Sequence, residues 1–368
     1  MSEYQYVAFR AVDRAVGKKD LAYMRRQSSR AHITPWSFEN EYHYGDFHGN
    51  AFEMMRRGYD VHVHYANFGT RLLLIRLPNG FPDARAAKPY LAGNLLAFRK
   101  DKKGSGGTLI IEPYYEGDAL AELWNVDKVL NWLVPLRAEI LAGDPRPLYL
   151  AHLAVSGDSN HDPEESVEAP VPAGLDDLTK PQRALAKFYG IGKSLVAVAA
   201  RKSGPAPTAT DQGTHYAQWL TDQPQATKDA WLAELLGDAG VSVRAKIRAK
   251  FDKAAASRTI AQLEDAAAHV RHEWKQAADK KAARQRAALL KKMAADPKPF
   301  LSKTEQLVAQ RSTEAYREAA QLLADLREAT VGGKYSALAA KQALKLKTAN
   351  PKLHHLTKAL REKGFVPK

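Results

Sequence analysis

"VHVHYANFGTRLLLIRL", residues 61–77, decides how the N-terminal part of this chain is read. Val61, Val63 and Tyr65 alternate with His62 and His64, the two-residue period of a strand whose two faces meet different surroundings. The turn "ANFGT" holds the glycine that a hairpin wants, and "RLLLIRL" (71–77) returns as a second strand, apolar almost throughout. The stretch therefore predicts antiparallel sheet. It also poses a chemical question, because two histidines on one strand face are either the edge of a metal site or ordinary sheet.

Working outward, "EYQYVAFRAV" (3–12) has the aromatic and β-branched content of a strand, and "SFENEYHY" (37–44) is another. In the latter, Phe38, Asn40, Tyr42 and Tyr44 point one way and Glu39, Glu41 and His43 the other. Helices are expected in "KKDLAYMRRQSS" (18–29) and in "AFEMMRRG", stopped by Gly58. A last hairpin joins "NLLAFRK" to "TLIIEPYY" through "DKKGSGG" (101–107). Residues 1–118 thus read as an α+β domain with a single mixed or antiparallel sheet.

From Ala119 the apolar period becomes helical. Residues 119–156 read as a helical pair packed on the sheet, with Pro135 as a break and Gly143 as a stop. "GDSNHDPEESVEAPVPAG" (157–174) is acidic and proline-rich with little to bury, so an exposed linker and a domain boundary are expected there. Residues 175–255 form a helical middle, and 256–368 a long basic helix with a C-terminal helical module, making this half all-α. The long helix keeps an apolar stripe through Ile260, Leu263, Ala267, Val270, Trp274 and Ala277; the next heptad positions are Lys281 and Arg284. In the final helix Asn350 is the expected N-cap, Pro351 the first helical residue and Gly364 the stop.

Charge is divided unevenly. The 368 residues carry a formal +14, yet Val241–Lys368 holds 28 basic and 12 acidic residues, a net +16, while Met1–Gly240 holds 27 and 29, a net −2. A concentrated positive field selects polyanionic partners. The absence of cysteine excludes disulfides, thiol catalysis and thiolate metal sites, and fits a reducing, cytoplasmic setting. No stretch approaches the roughly 18 apolar residues of a membrane span, so no membrane partner is expected.

Chemical motifs are few. If the 37–44 strand lay beside 61–66, His43 and Glu41 would join His62 and His64 on one face, a donor set suited to zinc or iron(II); the competing reading is a half-exposed sheet with solvent-facing histidines. "GIGKS" (190–194) has Lys187 where a phosphate loop needs its first glycine, and a helix where that loop needs a strand. Ser156, Ser159, His161 and Asp162 have hydrolase residue types, but they fall in the expected linker. No enzyme motif and no cofactor is indicated.

The basic residues are the candidate site: Arg244 and Arg248 on one helix, and Lys280, Lys281, Arg284, Arg286, Lys291 and Lys292 on the next. Such clusters bind phosphate backbone by releasing counterions, without base-reading side chains. The expected function is a non-enzymatic adaptor that holds DNA or RNA backbone through these helices and a protein partner through its N-terminal domain. The alternative is a helical scaffold binding an acidic protein, and a third reading places a metal-dependent enzyme at His43, His62 and His64.

"EYQYVAFRAVDRAV", "SSRAHITPWSFENEYHYGDFHG", "HVHYANFGTRLLLIRLP" and "PLRAEILAGDPRPLYLAHLA" together resemble a widespread group of uncharacterised bacterial proteins. "STEAYREAAQLLADLREA" and "NPKLHHLTKALREKGF" are similar to the helical tail that closes many bacterial SWIM zinc-finger proteins. The resemblance implies a shared helical module for docking or nucleic acid. The SWIM finger uses cysteines and this chain has none, so no zinc is carried over.

Overall fold

The computed structural model describes residues 3–81, 84–115, 123, 126–157, 162–203, 220–236 and 258–367. The chain divides into two compact units, Met1–Arg271 and His272–Lys368. The first is built on a seven-stranded sheet: β1 (Gln5–Arg10), β2 (His32–Ile33), β3 (Ser37–Tyr42), β4 (Val61–Ala66), β5 (Arg71–Pro78), β6 (Leu96–Lys100) and β7 (Gly106–Ile111), in the order β2-β3-β1-β4-β5-β7-β6. Every pairing is antiparallel. The 61–77 stretch folds as its alternation predicts, with Val61 opposite Ile75 and Tyr65 opposite Arg71.

Both faces of the central strands β1, β4, β5 and β7 are buried, which corrects the half-exposed reading for β4, while Glu41 on β3 stays exposed. One face carries Phe9, Phe38, Leu74 and Ile110 and is covered by α1 (Lys18–Arg25) and α2 (Ala51–Arg57) through Leu21, Met24, Met54 and Met55. Alternation alone cannot reveal that two short helices lie over the polar positions of β4. Asn50 caps α2 by accepting from the Glu53 amide at 3.0 Å, and Gly58, at φ 152°, ends it.

The other face carries Tyr6, Ala8, Val63, Leu73, Ile75 and Leu109. Beyond α3 (Ala84–Ala87), that face is covered from α4 (Val126–Leu133), α5 (Leu136–Leu141), α6 (Arg146–Ser156), α7 (Lys180–Phe188) and α8 (Lys193–Ala200). Pro135 separates α4 from α5 and Gly143 stops α5 at φ 87°, as the sequence predicts. Thr179 and Gln182 cap α7 reciprocally. A further helix, α9 (Gln225–Leu236), precedes the long one.

Residues 162–174 are not an exposed linker, and no unit boundary falls there. Ala169 and Leu175 enter the same core as the sheet, and Val167 forms a β-bridge with Thr259. Glu168 is buried because its carboxylate is neutralised: Arg258 donates to it at 2.5 and 2.8 Å, and the Tyr149 hydroxyl donates as well. A linker composition missed this because the compensating cation is 90 residues away.

The second unit is all-α. It contains the later part of α10 (Ile260–Ala295), then α11 (Lys298–Ala309), α12 (Thr313–Ala329), α13 (Leu338–Ala349) and α14 (His354–Glu362). Leu307, Tyr316, Leu323, Leu346, Leu356 and Leu360 share its main core. The last helix starts at His354, later than its sequence suggests. Asn350 instead closes α13, where its amide donates to the Leu346 carbonyl at 3.0 Å, and Pro351 falls in the turn. Among the described residues no helix is long and apolar enough to cross a membrane.

Candidate nucleic-acid interface

Helix α10 begins with a reciprocal cap: Thr259 Oγ1 accepts from the Gln262 amide at 3.3 Å, and Gln262 Oε1 accepts from the Thr259 amide at 3.1 Å. Ile260, Leu263, Ala267 and Val270 are buried. From Arg271 to Leu289 every residue is exposed, and the next buried side chain is Met293. A helix persists without packing there because the stretch is rich in alanine and in long straight side chains, the strongest helix formers, and holds neither glycine nor proline.

The cations of this stretch are not equivalent. Arg286, Leu290 and Met293 follow the i, i+4, i+7 spacing of one helix face. Met293 and Leu290 pack with Leu326 and Ala339, and Arg286 bonds Asp325 at 3.2 Å and Glu328 at 2.6 Å, both on α12. Those two carboxylates hold the Arg286 guanidinium above its ordinary pKa, the Glu328 hydrogen bond contributing most. Arg286 therefore anchors α10 to its own unit.

Lys280, Lys281, Arg284, Lys291 and Lys292 lie on the opposite side. At 3.6 residues per turn they fall within an arc of roughly 120°, spread over about 18 Å of helix axis. All five are exposed, and among the described residues none makes an ion pair with a carboxylate. Trp274, Lys281, Ala288 and Lys292 align along that arc at i, i+7, i+14 and i+18. Trp274 is 48 % exposed, so the apolar stripe seen in the sequence ends on the cationic face and not in the core. Arg244 and Arg248 lie outside the described residues.

The histidines do not gather. Strand β1 lies between β3 and β4, so Glu41 opposite Tyr6 is on one face of the sheet, while His62 opposite Phe9 and His64 opposite Val7 are on the other. His43 sits beyond the end of β3, 3.9 Å from Glu41 and with its ring 5.4 Å from that of Tyr4. His62 is fully buried and stacks on Phe9 at 3.9 Å between ring centres. Its Nδ1 faces the Ala8 carbonyl at 3.0 Å; a carbonyl only accepts, so Nδ1 carries the proton. Burial, helped by His64, lowers its pKa to about 3 against the opposing bond to Ala8. His64 donates from Nε2 to Gln5 Oε1 at 2.9 Å, and Gln5 in turn donates to Asp46 at 2.6 Å. Among the described residues no three His, Asp or Glu side chains are placed to hold a metal ion.

No family model matches the chain, and comparison with the curated proteins and with the solved structures finds no match. The chain is characterised by its own architecture: an antiparallel α+β unit, then a helical unit whose first helix bears a cationic face that makes no ion pair among the described residues.

Proposed function

We propose that this chain is a non-enzymatic accessory protein that binds the backbone of a nucleic acid through the cationic face of α10. One observation carries the reading: Arg286 is held by two carboxylates, while the five cations opposite it are exposed and without ion pairs among the described residues. Side chains arranged this way displace the cations condensed on phosphates, and their release drives backbone binding irrespective of sequence. The N-terminal unit is then free to engage a protein partner, and zero cysteines fit a cytoplasmic setting.

The test is retention of labelled duplex DNA, single-stranded DNA and RNA by the full chain at low salt, with polyglutamate as the competing acidic polypeptide. Binding to nucleic acid that polyglutamate displaces only at large excess supports the reading. Binding to polyglutamate alone favours an acidic protein as the partner and overturns it.

A further inference from the structure

We propose that the ligand of this face is a single-stranded nucleic acid, held by its phosphates on the lysines and arginine and by an unpaired base stacked on Trp274. The proposal rests on the backbone-binding reading and narrows it to one class of ligand.

A lone exposed aromatic on a protein surface is ordinary. What distinguishes Trp274 is its alignment, two turns before Lys281 and on the same line as Lys292. Among the described residues no other ring stacks against its indole. Ala277 and Ala288 lie within the same arc, so no long side chain stands at those two positions. From Trp274 to Lys292 the face runs about 27 Å. It therefore offers a half-exposed indole at one end, with the exposed carboxylate of Glu273 beside it, and five cations along the rest.

A base inside a duplex already has both faces covered, so an indole beside the backbone has no ring to meet. An unpaired base exposes its faces, and stacking on an aromatic residue is the sequence-tolerant contact of single-strand binding proteins. The base-reading elements that would choose a sequence are not needed for it. The sugar is left open by this chemistry, because indole stacking and phosphate pairing serve DNA and RNA alike.

The experiment measures the affinity of the full chain for oligothymidylate and oligouridylate of about 16 nucleotides, and for a duplex of the same length. Three variants are compared with the unmodified chain. W274L keeps the apolar bulk but removes the π face, W274F keeps a ring, and K281Q/R284Q/K291Q/K292Q removes four charges. The expected result is that W274L weakens single-strand binding by about fivefold to a hundredfold and leaves duplex binding unchanged, while W274F retains most of the affinity. Preference for one oligonucleotide over the other identifies the sugar. Single-strand binding by W274L equal to that of the unmodified chain, with loss in the four-charge variant, overturns the stacking proposal and leaves the backbone reading intact. Absence of binding to any of the three probes by the unmodified chain overturns both.

Discussion

Neutralising the cationic face changes the salt dependence of binding by an amount the geometry specifies. Five cations on α10 have no ion pair among the described residues, and each neutralised duplex phosphate contributes about 0.9 to the slope of log K against log salt. If all five meet phosphates, the slope is about −4.5, and affinity falls about 500-fold between 50 and 200 mM salt. The K281Q/R284Q/K291Q/K292Q variant leaves Lys280 alone, so the slope falls to about −0.9 and the same change of salt costs about 3.5-fold. All four side chains are exposed, so the substitutions leave the helical unit folded, which circular dichroism checks. The assay is fluorescence anisotropy of a labelled duplex titrated at four or more salt concentrations. A variant slope equal to that of the unmodified chain refutes the reasoning even if absolute affinity drops, because the phosphates would then be met elsewhere.

Other residues give independent expectations. Arg286→Gln leaves the salt slope unchanged but lowers the melting temperature slightly, because it breaks the bonds to Asp325 and Glu328; a slope reduced by about 0.9 would move Arg286 into the interface. Glu168→Ala strands the Arg258 guanidinium and the Tyr149 hydroxyl in the core, and a loss of about 3–5 kcal/mol is expected by urea unfolding; a loss below about 1 kcal/mol contradicts the buried pairing. His62 has a folded pKa near 3 against about 6.5 when unfolded, so the unfolded chain binds the extra proton between those values. Its stabilising contribution is complete above about pH 6.5 and is lost on acidification toward 3, at about 1.4 kcal/mol per pH unit. His64, also lowered by burial, adds in the same direction. His62→Phe therefore flattens the dependence of unfolding free energy on pH between 6 and 4, and an unchanged slope there contradicts His62 burial.

Local patterns in the sequence were strong wherever the determinant is local. The alternation of 61–66, the glycine turn before Arg71, the break at Pro135 and the stop at Gly143 each act within a few residues, and each is found in the fold. What stayed hidden depends on partners far along the chain. His62 reads as polar and solvent-facing until α1 and α2 cover its side of the sheet. Glu168 sits in a stretch of linker composition whose compensating Arg258 comes 90 residues later. Asn350 offers a good N-cap to the helix after it, yet its amide serves the helix before it.

The cationic face was half legible. Failure of the apolar stripe at Lys281 marked where α10 turns toward solvent, and periodicity alone groups Lys280, Lys281, Arg284, Lys291 and Lys292. Periodicity also sets Arg286 on the opposite side of the helix, but it could not show that Arg286 is paired, because Asp325 and Glu328 lie 39 and 42 residues away. Trp274 looked like the next core position and instead stands 48 % exposed on the cationic arc.

The most direct measurement is amine acylation of the full chain with and without a saturating single-stranded oligonucleotide, read by peptide mass spectrometry. Backbone binding on this face predicts that Lys280, Lys281, Lys291 and Lys292 are protected together, while Lys341, exposed on α13, reacts as it does in the free protein. Unchanged reactivity at those four lysines in a complex that demonstrably forms would contradict the proposed function.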